Sequence, residues 1–85
     1  MRIFDRDDKR VLSRITLFLT PAEATELANA ASSLAADPTN HHYHVLDVTC
    51  ETEITVAVHT DKNLHLFDAR SRSVIEHGAV SKHEA

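Results

Sequence analysis

Two runs of the chain, His41-His42-Tyr43-His44-Val45-Leu46-Asp47-Val48 and Glu53-Ile54-Thr55-Val56-Ala57-Val58-His59, hold four of its seven histidines. Both read as β-strands. Alternate residues on a strand point the same way, and a residue directly across a strand pair lies about 5 Å away at Cβ. If Val48 pairs with Glu53, then His42, His44 and His59 share one face, with His42 opposite His59. Three imidazoles so arranged can converge on Zn²⁺, Ni²⁺ or Cu²⁺ and leave a coordination position open. Thr55, His41 or a partner carboxylate would then complete or orient the set. The competing reading is an exposed polar sheet face on which histidine is tolerated, because no Asp or Glu stands out as a convergent ligand there. Pairing shifted by one residue would turn Leu46 and Val48 inward and take His42 and His44 with them. Buried imidazoles without partners are costly, so the Val48–Glu53 pairing is expected.

Other chemistry is thinly represented. Cys50 is the single cysteine, which excludes an intramolecular disulfide. Its neighbour Glu51 disfavours a thiolate, so it reads as an ordinary half-buried residue rather than a nucleophile. No Gly-rich phosphate loop occurs, and catalysis is not expected. The four aromatic residues, Phe4, Phe18, Tyr43 and Phe67, do not form a stacking platform beside basic residues; Phe67 and Tyr43 fit a core better.

The elements that must position these residues are legible in part. Residues 2–4 form a short strand and 5–9 a polar turn. Residues 11–19 are rich in β-branched and aromatic types, with Val11, Ile15, Leu17 and Leu19 on one face and Leu12 and Phe18 beside Arg14 and Thr16 on the other, and predict a strand partly apolar on both sides. Such a strand is either central or covered by a partner. Thr20-Pro21-Ala22-Glu23 is a capping box with Pro at the first helical position. The helix it opens runs to about Ala36, because Asp37 precedes Pro38. Its expected buried stripe is Ala24, Leu27, Ala31, Leu34 and Ala35. After the histidine hairpin, with its connection at 49–52, residues 61–63 turn, with Asp61 or Asn63 available as a cap. Residues 64–77 then predict a second helix ending at Gly78. A second hairpin over the same residues is disfavoured by the absence of Gly or Asn from its turn. The expected fold is therefore α+β: strands and helices in the order β-β-α-β-β-α, a small antiparallel sheet with two helices packed on one face. A single domain over residues 1–79 and a frayed tail at 80–85 are expected.

Eighty-five residues with 42% hydrophobic and 26% charged content suit one globular domain. A net charge of −4 disfavours general nucleic-acid binding, and the basic residues near the start are interleaved with Asp5, Asp7 and Asp8. No apolar run approaches the length of a membrane span and no signal-peptide pattern is present, so a cytoplasmic protein is expected. Two helices cannot cover both faces of the sheet, which would leave Leu12, Phe18, Leu46 and Val48 needing a cover. A homodimer or a protein partner, bound through a sheet face or edge, is the expectation that follows. The leading function is a small acidic regulatory or interaction module without catalytic activity. The alternative is a metal-binding protein or small metalloenzyme using His42, His44 and His59.

Overall fold

The structure is a computed structural model that describes residues 1–39 and 42–80. Its elements are β1 (Ile3–Asp5), β2 (Arg10–Leu12), α1 (Pro21–Ala36), β3 (Tyr43–Leu46), β4 (Glu53–Val56) and α2 (Ala69–His77), with a 3₁₀ turn at Leu64–Leu66. The class is α+β and the element order is β-β-α-β-β-α with a short first strand, as the sequence pattern predicts. The strands form two separate antiparallel ladders, β1 with β2 and β3 with β4, where a single small sheet was expected. The chain divides into two compact units, one spanning 18–63 and the other joining Met1–Leu17 to the chain from Leu64 onward. Asn40, His41 and residues 81–85 of the tail expected at 80–85 lie outside the described residues.

In the 18–63 unit, α1 begins as its capping box requires. Thr20 Oγ1 accepts from the Glu23 amide at 3.2 Å, and Glu23 Oε1 accepts from the Thr20 amide at 2.8 Å. The helix ends at Ala36, ahead of Pro38. It packs on β3, but the stripe turned inward is Glu23, Leu27, Ala30 and Leu34; Ala24, Ala31 and Ala35 are exposed. Leu27 and Leu34 belong to both stripes. Rolling the helix to centre them costs only the small apolar area of three alanines. Leu34 and Val45 are the buried apolar side chains of this unit among the described residues.

A second device closes the unit. Asn63 is 3% exposed, and its side-chain amide donates to the carbonyls of Pro38 and Val58, each at 2.9 Å. Its Oδ1 accepts from the Thr60 amide at 2.7 Å. One buried side chain thus ties the end of the α1 turn to the segment leaving β4. Read from sequence, Asn63 is only a turn residue or cap.

In the other unit, β1 and β2 pair as Ile3 with Leu12, Phe4 with Val11 and Asp5 with Arg10. Asp5 Oδ1 accepts from the amides of Asp7 and Asp8 at 3.0 and 3.2 Å, shaping the turn. The α2 helix is capped by Asp68, whose side chain accepts from the Ser71 amide at 2.7 Å, and is ended by Gly78 at φ 67°. Its cap is therefore Asp68, not Asp61 or Asn63. Arg70 lies 5.2 Å from the Phe4 ring centre, and Arg2 Nε donates to the Ile75 carbonyl at 3.2 Å. Val74 is buried.

The strand expected over residues 11–19 is shorter in the structure. Pairing stops at Leu12, and residues 14–20 have no regular secondary structure. The physical reason is the partner: β1 offers only Ile3, Phe4 and Asp5 to β2, and β-propensity without a neighbouring strand does not make a ladder.

Candidate functional site

The histidine hairpin forms, with its register displaced by two residues from the expected one. Leu46 pairs with Glu53, Val45 with Ile54, His44 with Thr55 and Tyr43 with Val56. A two-residue displacement preserves the faces, so Val45 turns into the core while His44, Glu53 and Thr55 stand on the exposed side. The cause is Asp47, which leaves the strand and organises the connection. Its Oδ1 accepts from the amides of Glu51 and Thr52 at 2.9 and 3.2 Å, and its Oδ2 accepts from Thr49 Oγ1 at 3.2 Å. The backbone hydrogen bond from Thr52 is the chief cause that holds the Asp47 carboxyl below its ordinary pKa. Cys50 adopts φ 58° within this loop and is exposed rather than half-buried.

This register decides which of the three candidate histidines meet. His42 and His44 do, with ring centres 5.0 Å apart and an interplanar angle of 78°. His59 follows Val58 beyond the end of β4, beside the segment held by Asn63. The pairing does not place it across from His42. His44 instead finds Glu53 and Thr55: its Nδ1 stands against Glu53 Oε1 and lies 3.1 Å from Thr55 Oγ1. Thr55 Oγ1 also donates to Glu53 Oε1 at 3.2 Å. Glu53 is thus a carboxylate convergent on His44 that sequence reasoning passed over. Its even spacing to Thr55 and His59 was the available signal. Among the described residues, no group of three or more His, Cys, Asp or Glu side chains is placed to hold a metal ion.

Polar and apolar groups also meet between α1 and β3, in an open groove lined in part by Glu26, Asn29, Ser33 and Tyr43. Tyr43, expected in the core, is partly exposed. The most exposed large apolar side chains lie elsewhere. Phe18 is 93% exposed and Val48, in the hairpin connection, is 99% exposed; Leu46 is also exposed. These are three of the four residues for which the sequence pattern led us to expect a cover. The fourth, Leu12, is half-buried. No helix among the described residues is long and apolar enough to cross a membrane.

No family model, no curated protein and no solved structure matches the chain.

Proposed function

We propose that the chain is a protein-interaction or regulatory module without catalytic activity, which binds a partner protein or a second copy of itself. The observation that carries this reading is the exposure of Phe18, Val48 and Leu46 in a chain whose described residues bury only Leu34, Val45 and Val74 among apolar side chains. Large apolar groups left in water forgo roughly 1.5–3 kcal/mol each that burial would supply. A protein surface is the natural cover for a set of them. Among the described residues both ladders are two-stranded, so every strand there is an edge strand by topology, and edges are the usual site of strand addition.

The test is capture on immobilised wild-type chain in parallel with a Phe18→Asp/Val48→Asp variant of unchanged circular dichroism. The reading expects stoichiometric retention of a protein, whether a second copy or another chain, by the wild type and its loss by the variant. A wild type that retains no protein and sediments as a monomer contradicts it.

A second reading is metal binding, favoured by the approach of His42 and His44, with Glu53 beside His44. Imidazole pairs of this kind suit Zn²⁺, Ni²⁺ or Cu²⁺. Metal analysis of protein purified without an affinity tag, and of a His42→Ala/His44→Ala variant, tests it. Stoichiometric metal that disappears in the variant supports the site, and metal-free wild type contradicts it.

A further inference from the structure

We propose that residues 14–19 are a dimerisation strand, which pairs antiparallel with the same residues of a second copy. The proposal rests on the interaction reading above and names its occupant.

Three observations meet in this stretch. The sequence Arg14-Ile15-Thr16-Leu17-Phe18-Leu19 is rich in β-forming residues, with Ile15, Leu17 and Leu19 at its odd positions. Its backbone N–H and C=O groups make no hydrogen bond among the described residues. Its apolar side chains are out in solvent: Phe18 almost wholly, Ile15 at 48% and Leu17 at 46%. An unpaired segment of strand-forming residues with exposed apolar side chains is a template for strand addition.

Self-complementarity argues for a second copy. An antiparallel pair centred on Thr16 sets Ile15 across from the second copy's Leu17, and Thr16 across from its own counterpart. Arg14 falls across from Phe18, an aromatic–guanidinium pairing that Arg70 and Phe4 already make within the chain. The two Arg14 residues then stand about 13 Å apart along the ribbon, beyond the Debye length of about 8 Å at physiological salt. Pairing displaced by one residue would mix Ile15 and Leu17 with Arg14 and Thr16 instead. Charge points the same way. The chain has 13 acidic residues and a net charge of −4, yet residues 11–22 contain none. Two acidic copies meet with least repulsion here. A six-residue ribbon from each copy falls short of the roughly 800 Å² per partner of a standard stable interface. A reversible dimer in the micromolar range or weaker is therefore expected.

Sedimentation velocity of the full chain, from low micromolar to several hundred micromolar, tests the proposal. The wild type is expected to pass from monomer to dimer. Thr16→Pro removes one amide from the middle of the ladder, and Phe18→Asp places a charge in it; both are expected to remain monomeric with unchanged circular dichroism. The register is read separately in a Cys50→Ser background. There Thr16→Cys should oxidise to a covalent dimer at least tenfold faster than Arg14→Cys. A wild type that is monomeric throughout overturns the proposal but leaves a different protein partner open to the capture experiment. A dimer that survives Thr16→Pro and Phe18→Asp also overturns it, while sustaining the broader interaction reading. Equal cross-linking rates at positions 14 and 16 overturn the register centred on Thr16.

Discussion

Asn63 and Asp47 show how much of this chain depends on single polar side chains. Asn63 is buried with its amide and its carbonyl oxygen all engaged. Replacing it by Ala strands the Pro38 and Val58 carbonyls, at about 1–3 kcal/mol for each buried group left unsatisfied. Asn63→Ala is therefore expected to be among the most destabilising polar substitutions, and chemical denaturation measures the loss directly. Asp47 and Asp68 act through charge. Backbone amides, foremost those of Thr52 and Ser71, hold both carboxyls below the ordinary value of 3.8. A carboxyl with a depressed folded pKa contributes stability above its unfolded value and loses that contribution as pH falls through the folded one. The destabilisation caused by Asp47→Asn should thus be constant near neutrality and shrink at pH values below about 3.8. Thermal melts of variant and wild type across that range check the sign.

Among the elements, α1 and the end of α2 were the most legible in the sequence, because those ends are specified locally; the start of α2 was not, since it begins at Ala69 behind Asp68 and not at residue 64. Thr20, Pro21, Glu23 and Gly78 each act within one turn, and each sits where its type requires. Thr20→Ala is expected to cost about 1 kcal/mol by loss of the cap. Gly78→Ala is expected to cost somewhat more, about 1–2 kcal/mol for a side chain in the left-handed conformation, and a Cβ there would stand 3.0 Å from Arg2 Nη1. The hairpin was legible in its faces but not in its register. Alternation specifies which side chains turn inward, and a displacement of two residues leaves that intact. What set the displacement was the carboxylate of Asp47, which looks like a strand residue in Leu46-Asp47-Val48 and acts as the organiser of the turn. The consequence falls on the candidate site: His44 meets Glu53 and Thr55, and His59 is not carried over to His42. The stretch 14–19 failed for a different reason. Its residues have strand propensity, but propensity does not supply a neighbour, and among the described residues none pairs with it.

For the molecule as a whole, the buried apolar set is small and the exposed apolar set includes some of the largest side chains. The count of helices against sheet faces led to the expectation of uncovered apolar side chains, and Phe18, Val48 and Leu46 are exposed. A chain stabilised by self-association has a melting temperature that rises with concentration, and that rise is expected for the wild type and not for Phe18→Asp. The most direct test of the account is amide hydrogen exchange at residues 14–19, measured in dilute and in concentrated protein. Exchange close to that of an unstructured peptide is expected in dilute protein, and slower exchange as concentration rises. Equally fast exchange at every concentration would contradict it, as would protection that is already complete in the dilute monomer.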